Sequence, residues 1–542
     1  MTNGPASPGS DADARDASGG LTREQFIKRG AASSAVLALP GLLAACGGGD
    51  GGGGGTGGSS SSDGPLRVAT AGGSAGDTID PGSPRTPADL LRILCLNETL
   101  YELDGRTYKA IPRIAESHTS NKAGDEWTIK LREGVKFHDG RPVTAEDVLF
   151  TITRLLDPEN EAVGTARMQV IDMDRTKVLD KTQIRFALKV PTPDFPTYAL
   201  SGTGGGIVPA DYKGPENHIG AGPWRLESFE PGEQSVFVRF EDHYRKVPEC
   251  RELIIVDLSD DAARLNALQS GQVHAINNVP FGQVDQLAKT PGIKIHEGPT
   301  GLYHVWSMRV DKAPFDDVRV RQAMRLAIDR QQLVDVALSG HGEVGHDMYS
   351  RYDPCYPEDL AKTRVRDVEQ ARALLQQAGK VGVTVELTTA NIAPGVVAAS
   401  EIIAQNAKEA GFDVKLRQVD SGTLEARATE WTFAPNTLPA QPFAWTSAIL
   451  DGPDAGKSWN FTHFSDEKYN ELYEQMINEF DLEARCTPIQ EMYKVQFERG
   501  GQIIPYFTNV IDAYSDKVTG FRPPDPRGTS FGAAHLEYVR FV

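Results

Sequence analysis

Gly72-Gly73-Ser74-Ala75-Gly76 has the GxSxG spacing of a hydrolase nucleophile elbow, in which a strand and a helix hold the serine strained and exposed. The short apolar run LRVAT supplies the strand. DTIDPGSPRTP follows, with three prolines and no helical periodicity, so the expectation is a glycine-rich loop rather than a catalytic Ser74. GTGGGIVP and GAGPW are glycine-rich, but no Gly-Lys-Ser/Thr follows and no helix begins there, as a phosphate loop requires. His341 and His346 are five apart and do not share a helical face, and His138-Asp139 lies in the turn-like KFHDGR. No catalytic set, metal site or cofactor is expected.

A different chemistry is written near the start. Arg23, Lys28 and Arg29 precede an apolar run from Ala31 to Ala45, which is too short to span a bilayer and fits the apolar stretch of a secretory signal. Leu43-Ala44-Ala45-Cys46 resembles a bacterial lipoprotein box, which implies lipidation of Cys46 and cleavage before it. TREQFIK resembles the twin-arginine export motif, but Glu24 stands for the second arginine, so the export route stays open. The composition of the Gly/Ser tract from Gly47 to Gly64 predicts a flexible coil, expected to span roughly 25 Å. Residues 1–45 therefore read as a signal peptide, and 46–65 as a lipidated cysteine with a leash.

Alternating strands and helices must position whatever the leash carries. WTIKLREG sets Trp127, Ile129 and Leu131 on one face. TAEDVLFTITRLL begins a helix with Thr144 as N-cap and Asp147 three residues on. RLESFE and SVFVRF read as strands joined at Pro231-Gly232. DAARLNALQSG reads as a helix ended by Gly271, and VHAINNV as a strand. DDVRVRQAMRLAIDRQQLVDVALSG reads as one helix stopping at Gly340, and VEQARALLQQAG as a helix capped by Asp367. VTVELTT, a helix capped by Ser400 and ended by Gly411, and FDVKLRQV make a βαβ unit, so the class is α/β.

Residues 66–542 are more than one core usually supports, so two or three domains are expected. The net charge of −18 argues against nucleic acid as a partner. Cys95, Cys250, Cys355 and Cys486 permit two disulfides in three pairings, or buried free thiols; none forms a CxxC pair.

LREGVKFHDGRPVTAEDVLFTITRLLDPEN resembles the signature region of family 5 extracellular solute-binding proteins, the dipeptide, oligopeptide and nickel receptors of ATP-binding-cassette importers. GAGPWRLESFEPGEQSVFVRFEDHY, DDAARLNALQSGQVHAINNVP, APFDDVRVRQAMRLAIDR and IIPYFTN follow in the family's order, so the resemblance runs from about Leu66 to Val542. It implies a two-lobed periplasmic-binding-protein-like fold (type II, cluster C) with an extra subdomain inserted in the first lobe. The first lobe would be 66–100, 206–305 and 503–542, the insert 101–205 and the second lobe 306–502. The chain would cross between lobes near GLYHVWSMRV and GQIIPYF, and close on a ligand there.

The implied role is a monomeric, extracytoplasmic lipoprotein on the cell membrane, in the periplasm or on the outer face. It would capture a small peptide-like or other organic solute and deliver it to an ABC permease and ATPase complex. A secreted serine hydrolase using Ser74 and a sensory module without transport are the alternatives. The family surrounds its ligand with aromatic residues. That makes Trp306 and Trp445, at the end of the presumed strand QPFAW, the first candidates, then Tyr303, with Trp431 and Trp459 weaker. Thr86 ends the loop expected at the cleft mouth. Peptide-binding members carry an aspartate three positions after the residue matching Trp445, to meet the peptide ammonium. Here Ala448 stands there, and Asp451 or Asp454 would have to substitute.

Overall fold

The computed structural model describes residues 64–542 apart from 73, 75, 161, 163, 164, 203, 454 and 456–458. Cys46, the stretch read as a signal peptide and nearly all of that read as a leash lie outside the described residues, as does Asp454. Leu66–Thr70 is almost wholly buried and pairs in parallel with Glu252–Asp257 on one side and Ala275–Ile276 on the other. Leu66, Val68 and Ala69 supply its apolar contacts, and Arg67 is the one residue left partly exposed. These strands belong to a ten-stranded sheet. Its main path runs Phe433–Leu438, Ile293–Met308, Tyr506–Ser515, Ala275–Ile276, Leu66–Thr70, Glu252–Asp257, Gln234–Arg239 and Trp224–Glu230, with Gly342–Val344 paired to Tyr506–Ser515 and Gln502–Ile503 to Ile293–Met308 off this path. Gly232, at φ +81°, makes the turn of the last hairpin.

Two long strands tie the sheet together. Ile293–Pro299 pairs with Asn509–Ser515, the register shifts, and pairing resumes at Tyr303 and Phe507. Before the shift Ile293, Ile295, Ile511 and Ala513 pack on one apolar cluster, with Ala267, Leu268 and Leu287. After it, Trp306 and Met308 belong to another, with Met324, Leu387 and Ile403. The same two strands therefore serve separate cores on either side of the irregularity, and Tyr303, Val305 and Phe507 beyond it join a third. A four-stranded sheet of Ala115–Ser120, Glu126–Leu131, Gln183–Leu188 and Ile171–Asp180 has a further core around Ile129, Ile152 and Phe186. Its helix Ala145–Leu156 starts at the Thr144/Asp147 capping box, with Thr144 N–H donating to Asp147 at 2.8 Å.

Thr384–Thr389, the helix Val396–Ala410 and Asp413–Gln418 form the βαβ unit, with the strands parallel. Four local expectations are corrected. The helix begins at Val396 behind Gly395, and Ser400 lies inside it, fully buried; its hydroxyl donates to Val396 O at 2.9 Å instead of capping. The segment after Asp317 is two helices, Val318–Ala327 and Arg330–Ala337, because Asp329 accepts Gln332 N–H at 3.0 Å and restarts the helix as a new N-cap. QPFAW is not a strand: Phe443–Leu450 is a helix. Only Ala275–Ile276 of VHAINNV is strand. Cys355 and Cys486 form a disulfide, while Cys95 and Cys250 are buried free thiols.

Candidate ligand-binding site

The crossing strands floor a cleft. Thr300, Leu302 and His304 face it from the first strand and Thr508–Ile511 from the second. Asn278, Pro280 and Phe281 stand on one side, Ala393, Pro394 and Thr437 on the other. His304 Nδ1 lies 3.0 Å from the Tyr506 hydroxyl. Burial pulls the His304 pKa down to about 4, so the ring is neutral near pH 7. Thr437 Oγ1 and Asn509 Oδ1 are buried there without a hydrogen-bond partner. Unmet polar atoms in a concave, mostly apolar space are what fix a small ligand's orientation. An adjoining open pocket shares Asn278, Leu302 and Gly528 and reaches Thr86 and Arg527. Thr86 lines it while capping the helix Pro87–Leu96, its Oγ1 accepting Asp89 N–H at 3.1 Å.

Trp445 builds a second feature. It sits in the first turn of Phe443–Leu450, whose start is capped from a distant loop: Asp353 accepts Phe443 N–H at 2.8 Å. The indole is buried against Leu103 and Tyr108, with Tyr198 and Tyr352 at its edge. The Arg167 guanidinium lies 3.9 Å from the ring centroid, and the Tyr198 ring meets it edge-on at 6.4 Å. Leu103 and Tyr108 come from the hairpin of Tyr101–Leu103 and Ala110–Pro112, and Arg167 from the 3₁₀ turn Thr165–Val170. Separated stretches of chain thus meet on one indole. Tyr108 is held at φ +51° by Tyr108 N–H donating to Asp104 O at 2.9 Å, a conformation that costs a bulky residue on the order of 1–3 kcal/mol. Its hydroxyl is buried without a partner.

The remaining sequence candidates fall elsewhere. Trp306 is fully buried, and its indole N–H donates to Ser400 Oγ at 3.0 Å, so it offers no surface to a ligand in this conformation. Tyr303 is 1% exposed and packs with Val305 and Phe443, its hydroxyl unpaired. Trp431 donates to Leu424 O within a small cluster of its own, and Trp459 is half exposed. Asp451 caps the C-terminal end of the Trp445 helix but is buried in the core, where the Tyr349 hydroxyl donates to it at 3.0 Å. Ala448 is partly exposed on the same helix. Ser74 Oγ donates to Asp77 at 3.0 Å and, among the described residues, no helix begins between Thr70 and Pro87, so the strand–turn–helix of a nucleophile elbow is not built. Residue types alone do not single out Arg167, Tyr108, Tyr198, Tyr352 or His304.

The family model for bacterial extracellular solute-binding proteins, family 5 (middle), matches residues 109–461. The chain belongs to this family. It is accordingly a substrate-binding protein of the ATP-binding-cassette importer class. The glutathione-binding protein GsiB of Shigella boydii is 24% identical over 497 residues, covering 87% of this chain and 94% of GsiB. The periplasmic binding protein AgaA of Agrobacterium tumefaciens R10, solved with agropinic acid, is 25% identical with a TM-score of 0.74, covering 88% of this chain and 99% of AgaA. DppA of Helicobacter pylori, solved with the peptide STSA, matches the fold with a TM-score of 0.73 at 20% identity, over 88% and 98% of the two chains. These relatives are solute-binding proteins, and family 5 members are extracytoplasmic. No helix among the described residues is long and apolar enough to cross a membrane. The two-lobed α/β class expected from the sequence is the fold found.

Proposed function

We propose that this family 5 protein is tethered to the cell membrane through a lipid on Cys46, captures one small organic solute between its lobes, and hands it to an importer permease. The supporting observation is the pair of long strands, which run through two separate cores and lose register between them. Rotation about that irregularity opens and closes the cleft they floor without unpacking either core. The lobe boundaries follow the sequence reading, with crossings near Tyr303 and Gly501, and the ligand touches Trp445 and the neighbourhood of Thr86. GsiB's name, AgaA's agropinic acid and DppA's peptide support solutes of this size without choosing among them.

The test is mass-spectrometric identification of what the protein, purified from its native host, releases on denaturation. One small organic solute is expected, and it should rebind the stripped protein calorimetrically. A protein that releases nothing and binds nothing from host extract overturns the reading. Fractionation tests the tether separately: wild type should pellet with membranes, and Cys46→Ser should lose its lipid.

A further inference from the structure

Residues 345–357 form neither helix nor strand, yet they run along the helix that carries Trp445. Their start is fixed where Asp347 sits buried between Arg330 and Arg364. Their end is fixed by the disulfide from Cys355 to Cys486, the first residue of the helix Cys486–Arg499. Between these two anchors the loop touches Phe443–Leu450 repeatedly. The Tyr349 ring stacks on Phe443 with centroids 5.4 Å apart, and its hydroxyl donates to Asp451 at 3.0 Å. Ser350 Oγ lies 3.3 Å from Thr446 Oγ1. Tyr352 packs at the edge of Trp445. Asp353 accepts two backbone N–H groups, one on each carboxyl oxygen, from Phe443 at 2.8 Å and from Cys355 at 3.0 Å.

Asp353 thus joins the disulfide to the Trp445 helix. The helix start needs it, because the first N–H groups of a helix have no partner within it. Pro442, at the N-cap position, makes no side-chain cap. The second contact of Asp353 is to a residue of the disulfide itself, so the place of Cys355 sets the place of the cap. We propose that Asp353 is a positioning residue for the solute site, held by the Cys355–Cys486 disulfide, so that only the oxidised chain sets Trp445 to bind solute. Disulfides persist in oxidising extracytoplasmic compartments and are kept reduced in the cytosol. The precursor would therefore stay silent towards cytosolic solute, and the exported receptor would bind. The inference rests on the receptor reading above and adds a redox condition to it.

The experiment is equilibrium dialysis of the stripped full chain against the small-molecule fraction of host extract, read by mass spectrometry before and after reduction with dithiothreitol. Two electrons and two protons pass from the dithiol to the disulfide; the dithiol closes into a cyclic disulfide, and Cys355 and Cys486 become thiols. Cys486 is partly exposed to the reductant, and Cys95 and Cys250 are thiols already. At a temperature where circular dichroism shows both forms folded, the oxidised chain should retain a solute roughly tenfold better than the reduced chain. The double variant Cys355→Ser/Cys486→Ser should match the reduced chain and not respond to dithiothreitol. Asp353→Asn keeps the disulfide but offers one acceptor oxygen in place of two. It should weaken retention several-fold, and reduction should add little to it, because both act through one loop. The near-ultraviolet dichroism of Trp445, taken as wild type minus Trp445→Phe, should shrink on reduction. Equal retention by folded oxidised and reduced chains overturns this proposal and leaves the receptor reading standing. So do fully additive effects of Asp353→Asn and reduction, and so does a reduced chain that no longer melts cooperatively, which makes the disulfide a staple of the fold alone. An oxidised chain that retains nothing overturns both.

Discussion

Trp306 and Trp445 are both buried indoles on regular elements, and they do opposite work. Trp306 is enclosed by Met324, Leu387 and Ile403, and its one polar group is matched by Ser400. Trp445 is enclosed by Tyr108, Tyr198 and Tyr352, with the unmet Arg167 stacked on it. Burial alone does not separate core from binding site. The company each indole keeps does: apolar side chains and one matched hydroxyl around Trp306, tyrosines and a stacked guanidinium around Trp445. Asp451 and Arg167 draw the same contrast for charge. A carboxyl in the core can take up a proton and stay neutral, but a guanidinium keeps its charge.

The largest effect should come from Trp306→Ala, which should cost about 3–5 kcal/mol in denaturant unfolding, as an aromatic deletion in a closed core does. A loss below about 1 kcal/mol would place Trp306 in a mobile or ligand-facing setting and break the comparison. Next is Asp451, whose carboxyl burial pushes up to about 7. An acid with a raised folded-state pKa favours the native state at low pH, and that contribution falls as pH rises from the ordinary carboxylate value toward 7. Asp451→Asn, which does not ionise, should therefore gain on wild type by about 1 kcal/mol per pH unit between pH 4.5 and 6.5. A pH-independent difference would put an ionised carboxylate in the core.

Ser400→Ala leaves the Trp306 N–H unmatched and should cost about 1–3 kcal/mol. The smallest stability effect should be at Trp445. Trp445→Phe keeps most of the ring and should cost under about 1.5 kcal/mol, yet weaken solute binding roughly tenfold by calorimetry through loss of stacking area under Arg167. Binding unaffected by Trp445→Phe would remove it from the site.

The fold was legible where local signals agree with tertiary contacts. The Thr144/Asp147 box and the βαβ rhythm name elements that pack as they read. Thr86-Pro87-Ala88-Asp89 carries the same box with proline at the first turn, a readable helix start that the cleft-mouth reading passed over. QPFAW misled because its cap, Asp353, lies ninety residues upstream and leaves no local trace. The site was half legible. Trp445 came from the resemblance, but Arg167 sits in a 3₁₀ turn whose sequence has no pattern, and Tyr108 matters through an unmet hydroxyl that only packing reveals.

The central claim is that the two lobes close over a small solute held at Trp445. Small-angle scattering tests it most directly, on the full chain stripped of solute and again after saturation with the solute identified by mass spectrometry. The account predicts a smaller radius of gyration for the saturated protein, and a lost change in Trp445→Ala at the same solute concentration. An unchanged radius in wild type at calorimetrically complete saturation would contradict it.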